Sequence, residues 1–432
     1  MAFPEGFMIG AATAAHQVEG NNIHSDYWLQ EHMPHTSFTE PSGEACDHYH
    51  RYAKDIRMLA DAGLNAYRFS IEWARIEPEE GQFEEKEIEH YRDVIRCCRE
   101  NGVEPIVTLM HFTSPAWLIR KGGWEAESTI EYFRRYAAYV TEKLGAELRY
   151  VCTINEANMG LQLATIAKRF RLMAEQAAKA SAAAGAKKAE GTVQVGMNFE
   201  KMMENMKYAA MENAEAFGTP EPQIFVSSRT PEGDALVFRA HQAAKEAIKA
   251  LYPDIKVGIT LSMHDLQALP GGESFEETAW DEEFRHYLPY IQGDDFLGVQ
   301  NYTRTQYGPQ GQLPAPEGAE LTQMDYEFYP EALEHVIRRV HMDFKGDLIV
   351  TENGVAVADD TRRVEFIRRA LAGVKNCLQD GIPVKGYMYW SLMDNIEWQK
   401  GFSMTFGLIA VDRATQTRSP KESLAFLGSC AK

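Results

Sequence analysis

The chain of 432 residues is short of positive charge: 44 Lys and Arg stand against 63 Asp and Glu, a formal net charge of −19. Phosphate backbones are gripped by clustered Lys and Arg, so this balance argues against a nucleic-acid partner. No apolar run approaches the ~20 residues that a membrane-spanning helix needs. The opening Met1-Ala2-Phe3-Pro4-Glu5-Gly6 has no basic region followed by an apolar stretch, so no secretory leader and no membrane partner are expected. Cysteine is sparse. Cys46, Cys97, Cys98, Cys152, Cys377 and Cys430 form neither a metal-type spacing nor a secreted disulfide framework, and reduced thiols in a cytoplasm are expected. Adjacent Cys97 and Cys98 read as packing residues of a helix. A Gly-rich phosphate loop, an internal repeat and an interdomain linker are missing too, so one domain over residues 1–432 is expected. The 45% hydrophobic and 25% charged residues are ordinary for a globular protein.

What is present is alternation. Strand-like runs at 7–13, 64–70, 104–111, 150–156, 256–261, 296–302, 346–352 and 386–391 are rich in Val, Ile, Thr, Tyr and Phe. Helical periodicity separates most of them: Tyr49, Ala53, Ile56 and Ala60 share one face before Gly63, and further helices are expected at 88–99, 129–145 and around 240, 335 and 370. Eight strand–helix units in one domain predict a parallel sheet closed into a (β/α)8 barrel. Residues 157–232 break the rhythm. The Ala- and Lys-rich piece 176–190 and the Met-rich piece 197–215 predict a helical insertion after strand 4. Its methionines are expected to fill core gaps, their usual role.

Two of the apolar runs end in a carboxylate: Tyr150-Val151-Cys152-Thr153-Ile154-Asn155-Glu156 and Leu348-Ile349-Val350-Thr351-Glu352-Asn353-Gly354. In a parallel barrel both glutamates would sit at C-terminal strand tips, where barrels keep their chemistry. Paired carboxylates are the working parts of a glycosidase: one protonates the leaving oxygen, the other meets the oxocarbenium-like centre.

The motifs around these residues resemble glycoside hydrolase family 1, the β-glucosidase family. Thr153-Ile154-Asn155-Glu156 is similar to its acid/base motif, and Thr351-Glu352-Asn353-Gly354 to its nucleophile motif. Gly10-Ala11-Ala12-Thr13-Ala14-Ala15-His16-Gln17-Val18-Glu19-Gly20, Tyr67-Arg68-Phe69-Ser70-Ile71-Glu72-Trp73 and Tyr389-Trp390-Ser391-Leu392-Met393-Asp394-Asn395-Ile396-Glu397-Trp398 resemble the first, second and last strand signatures, in the family's order. The resemblance implies a retaining exo-β-glycosidase acting on small β-D-glucosides, without cofactor or metal. Glu352 would attack and Glu156 would act as acid and then base, with their carboxyls ~5–5.5 Å apart. Arg68, Asn155 and Tyr302 would support them, Arg68 by keeping Glu352 ionised. Gln17, His111, Glu397 and Trp398 match positions that bind sugar hydroxyls, and Trp390 matches the aromatic platform under the ring.

Several positions depart from the commoner family pattern: His16 stands where tyrosine often sits, Phe112 for tryptophan, Ala157 for proline, and Gln300-Asn301-Tyr302 for Asn-Tyr-Tyr. No residues are assigned to the aglycone side. A 6-phospho-glycosidase of the same family would carry serine, lysine and tyrosine where this chain has Glu397, Met404 and Phe406. A glutamate there would repel a sugar phosphate, so that reading is rejected. A galactose- or fucose-leaning specificity and a catalytically silent sugar-binding relative stand as alternatives. A metal-dependent barrel hydrolase would need companions for His111 that the chain lacks. The oligomeric state is left open.

Overall fold

The computed structural model describes residues 3–166, 194 and 196–431. Eight parallel strands close into a barrel in simple chain order: β1 (Met8–Ala12), β2 (Ala66–Ser70), β3 (Glu104–Met110), β4 (Tyr150–Ile154), β5 (Lys256–Ser262), β6 (Phe296–Gln300), β7 (Asp347–Asn353) and β8 (Val384–Trp390). Closure is made by β8 against β1, from Met8 opposite Gly386 to Ala12 opposite Trp390. The helices α1 (His48–Ala62), α2 (Glu85–Glu100), α3 (Ser128–Leu144), α4 (Pro231–Leu251), α5 (Glu273–Glu283), α6 (Ala332–Asp343), α7 (Asp360–Gln379) and α8 (Glu422–Cys430) follow the strands one for one. The expected (β/α)8 barrel is the fold.

Local chemistry explains the elements. The strands are covered on both faces, so they read as continuous apolar runs rather than as alternating ones. Along α2, Ile88, Tyr91, Val94, Ile95 and Cys98 are buried, a stripe at three- and four-residue spacing. Burial pushes the thiols of Cys97 and Cys98 above the usual range, in keeping with packing roles. Helix α1 stops where Gly63 turns left-handed at φ 104°. Helix α4 starts from Thr230, whose side chain accepts from Gly233 N at 3.0 Å, with Pro231 in the first turn. Gly10 and Gly354 are required by close approach: a Cβ at either would collide with the carbonyl of Ala66 or of Trp390.

After β4 the chain continues helically over 159–166. The expected helix at 176–190 lies outside the described residues. A helix does form at Phe199–Phe217, but the expectation that its methionines pack inside is overturned. Met203, Met206 and Met211 are 69%, 64% and 65% exposed, and Met202 also reaches the surface. The reason is which face docks. Lys201, Asn205, Tyr208 and Glu212, at helical spacing, meet the loop 35–38: Lys201 Nζ donates to Phe38 O and Asn205 Nδ2 to Thr36 O, each at 3.1 Å. Glu212 holds His35 at 2.6 Å, and Tyr208 stacks on the same imidazole. The methionines fall on the other faces. Among the described residues no helix is long and apolar enough to cross a membrane.

Candidate active site

The two glutamates meet at the C-terminal mouth of the barrel. Glu156 stands two residues beyond the end of β4, and Glu352 is the penultimate residue of β7. Both are 4% exposed and line one cavity, together with Asn155, His111, Tyr302 and the side chains Trp390, Glu397 and Trp398.

Their surroundings differ in kind. Arg68, from β2, is fully buried and donates through Nη1 to Glu352 Oε1 at 2.6 Å. Tyr302 Oη donates to Glu352 Oε2 at 2.5 Å. Both oxygens of Glu352 are therefore held by donors, one of them a cation. Glu156 is fixed through its backbone instead: its N–H donates to Thr260 Oγ1 at 2.9 Å, and its φ of 44° is left-handed. Among the described residues no Lys, Arg or His forms an ion pair with its carboxylate.

Electrostatics follow from that asymmetry. Burial, and then the charge of Glu352, push the pKa of Glu156 well above the ordinary carboxylate range. Burial raises Glu352 as well, but Arg68, Tyr302 and Gln300 all oppose it. Two buried carboxylates in one cavity resist ionising together. The single proton they retain belongs on Glu156, because only Glu352 has a cation to stabilise its anion.

Asn155 joins the two halves. Its Oδ1 accepts from Arg68 Nη2 at 2.6 Å, Gln300 Nε2 at 2.8 Å and Thr260 Oγ1 at 3.2 Å. Those three donors set the amide orientation, so Nδ2 must point to His111 Nε2, 3.2 Å away. His111 then carries its proton on Nδ1. Burial and the nearby Arg68 hold its pKa well below the usual value, so the ring is neutral.

Among the described residues, polar atoms buried and unpaired in this region include His111 Nδ1, Gln17 Oε1, Gln300 Oε1 and Glu397 Oε2. Each costs about 1–3 kcal/mol while unsatisfied, and a polyhydroxylated ligand supplies the partners that aliphatic ligands lack. Burial and the charge of Glu352 push Glu397 up to about 8, so near neutrality it holds a proton and can donate as well as accept. Trp390 lies nearly parallel to His111, ring centroids 5.6 Å apart at 21°, and forms a flat apolar wall.

Of the ten residues singled out in the sequence, eight line the cavity and Arg68 lies directly behind Glu352. Gln17 does not line it. It is buried behind the 395–398 loop, donating to Ile396 O at 2.6 Å and Asn395 Oδ1 at 3.2 Å. Thr260 and Gln194 were not singled out in the sequence, and Gln300 appeared there only as a departure from the family's Asn-Tyr-Tyr. Thr260 and Ser262 left a readable signal, as polar residues at alternate positions of an otherwise apolar strand. Gln194 left none. Among the described residues no Lys or Arg lines the cavity, and Phe406 occupies the wall, so these residues give a sugar phosphate no cation to bind. Among the described residues no cluster of three or more His, Cys, Asp or Glu could hold a metal ion.

Known proteins place this architecture. The sequence profile described as glycosyl hydrolase family 1 matches residues 1–171 and 284–432. Beta-glucosidase A of Acetivibrio thermocellus is 29% identical, with 98% of this chain and 96% of the relative covered. A bifunctional beta-D-glucosidase/beta-D-fucosidase of Bifidobacterium breve is 30% identical, with the same 98% and 96% coverage. Among solved structures, a beta-glycosidase is 45% identical with a TM-score of 0.88, covering 99% of this chain and 97% of that one. A beta-glycosidase from Pyrococcus horikoshii is 30% identical with a TM-score of 0.78, covering 100% and 95%.

Proposed function

The chain belongs to glycosyl hydrolase family 1 and is a retaining glycoside hydrolase; from that premise we propose that it cleaves small β-D-glucosides, with Glu352 as nucleophile and Glu156 as acid and base. In the first step a Glu352 oxygen bonds to the anomeric carbon as the glycosidic C–O bond breaks. The leaving oxygen takes the proton of Glu156 and departs as an alcohol. In the second step water bonds to the same carbon, Glu156 accepts its proton, and the ester to Glu352 breaks. Glucose and the starting enzyme are regenerated.

The role exchange by Glu156 needs no movement. While Glu352 is anionic, its field keeps the proton on Glu156; esterification removes that charge, and the pKa of Glu156 falls as a base requires. Arg68 and Tyr302 keep Glu352 anionic and aimed. The observation that carries the assignment is this asymmetry: donors on both oxygens of Glu352, and no cation on Glu156.

The name of the Bifidobacterium breve relative supports tolerance for β-D-fucosides. Six free thiols fit a reducing compartment, and we assign the cytoplasm.

The test is release of 4-nitrophenol from 4-nitrophenyl β-D-glucoside, then the same assay on Glu352→Gly. The variant is expected to lose hydrolysis and, with added azide, to form the α-glycosyl azide. Full activity without azide would remove Glu352 from the nucleophile role, and no activity in the unaltered enzyme on gluco-, galacto- or fucosides would leave a silent sugar-binding protein.

A further inference from the structure

The helical turn Ala15–Val18 follows β1 and carries two buried polar side chains side by side. Gln17 pins Asn395 and Ile396, the residues that lead into Glu397 and Trp398. His16 meets the same loop two residues later, at Trp398. Its ring lies at 8° to the ring of Trp398, centroids 6.1 Å apart.

His16 belongs to a closed network. Its Nε2 is 2.8 Å from Glu31 Oε1, and Glu31 Oε2 accepts from Ser42 N and Oγ at 3.0 and 2.7 Å. On the other side, His16 Nδ1 lies 3.1 Å from Asn22 Nδ2, while Asn22 Oδ1 is buried without a partner. As placed, the amide donates to an unprotonated Nδ1. Turned over, it presents the unpaired oxygen to an Nδ1–H. The pocket is therefore built to hold both the neutral ring and the imidazolium. The charged groups that face the ring are Glu31 and Asp26 from the helix Asp26–Glu31, and Glu72 beyond β2. Burial alone would lower the His16 pKa; those acids overcome it, and the net shift is upward.

Trp398 depends on its neighbours. Its φ of 46° is left-handed, which for a bulky residue costs on the order of 1–2 kcal/mol and persists only where packing enforces it. The enforcing rings are Tyr27 at 5.1 Å, Phe112 at 5.2 Å, His111 at 6.0 Å and His16. Only His16 among them has a charged partner.

We propose that His16, charged against Glu31, is a positioning residue that holds the 395–398 loop and Trp398 in their glycone-binding arrangement, so that glycone affinity falls when His16 gives up its proton. The inference rests on the reading of this cavity as a glycone site. Its sign follows from the shift: the proton is present below the raised pKa and lost on the alkaline side of the ordinary ~6.5. By linkage, bound sugar raises that pKa further.

The test is equilibrium titration of glucose, a neutral ligand on which no chemistry occurs, into the intact enzyme and into His16→Gln from about pH 6 to about pH 9. Glu397 and Glu156 titrate in both proteins, so the difference between the two curves belongs to His16. The unaltered enzyme is expected to lose about fivefold more affinity across that range than the variant, the low end of coupling between linked sites. The variant should bind weakly throughout. Glu31→Gln removes the main charge partner and should move the loss of affinity to lower pH, and it carries the test should His16→Gln not fold. Parallel curves for the enzyme and His16→Gln, with no shift in Glu31→Gln, would overturn the proposal and leave His16 as packing. Glucose that binds neither protein at any pH, with no glycoside hydrolysed, would instead overturn the glycosidase reading itself.

Discussion

Replacing Arg68 by methionine strikes the charge asymmetry directly. Methionine keeps much of the bulk in a fully buried position but removes the guanidinium that donates to Glu352 at 2.6 Å and to Asn155 at 2.6 Å. A hydrogen bond to a charged group is worth about 1.5–3 kcal/mol, and each pKa unit corresponds to about 1.4 kcal/mol. Loss of the Arg68 contact should therefore raise the Glu352 pKa by about one to two units. Burial already lifts that carboxyl, so the shift adds to an elevated starting point. On the acidic limb the anionic fraction then falls by about ten- to a hundredfold, and kcat/KM with it. The assay is the pH profile of kcat/KM on 4-nitrophenyl β-D-glucoside. The acidic limb, which reports the free-enzyme nucleophile, should move to higher pH by one to two units, and activity should partly recover as pH rises. Arg68→Lys should lie between, because an ammonium keeps the charge but cannot make the fork. An acidic limb that stays in place in Arg68→Met, whatever the loss in rate, would refute the claim that Arg68 keeps Glu352 ionised.

Glu156→Gln should slow substrates with poor leaving groups by about 10²- to 10⁴-fold, the usual worth of general acid catalysis, and activated nitrophenyl glucosides far less; equal losses on both would contradict the acid role. Tyr302→Phe removes the 2.5 Å contact to Glu352 and should move the acidic limb upward by less than Arg68→Met does. An unchanged profile would show that the phenol does not tune the nucleophile. Stability should fall as pH rises from about 4 to about 8. Asp26, which burial lifts to about 7, and Glu397, lifted to about 8, each contribute most below their unfolded pKa and lose that contribution as pH rises through the folded value. Asp26→Asn should flatten the decline in Tm between about pH 4 and about pH 7, and a Tm that rises with pH over that range in the unaltered protein would reverse the sign of this argument.

The barrel was legible because it is built from local patterns. Each strand is a buried apolar run and each helix an amphipathic stripe, and β1 and β2 differ from their expected bounds by only one or two residues at an end. The cavity residues were legible because they sit at strand tips beside recognisable runs. What failed needed knowledge of which face docks. The methionines of 199–217 have the composition of a core helix, yet polar residues at positions 201, 205, 208 and 212 carry the contacts. Gln17 lies outside the cavity lining, where its amide ties down a loop 378 residues away in sequence, a partnership that no periodicity reveals. The same holds for Gln300 and Thr260, whose value lies in meeting Asn155 across the barrel.

The account turns on a single covalent bond between Glu352 and the anomeric carbon. The most direct measurement is to incubate the enzyme with a 2-deoxy-2-fluoro-β-D-glucoside bearing a good leaving group, then map the modified peptide by mass spectrometry. One sugar residue per chain, on the peptide that contains Glu352 and released when an acceptor restores activity, is the expected result. A label on Glu156, or prompt turnover that yields α-glucose first with no labelled peptide, would contradict it.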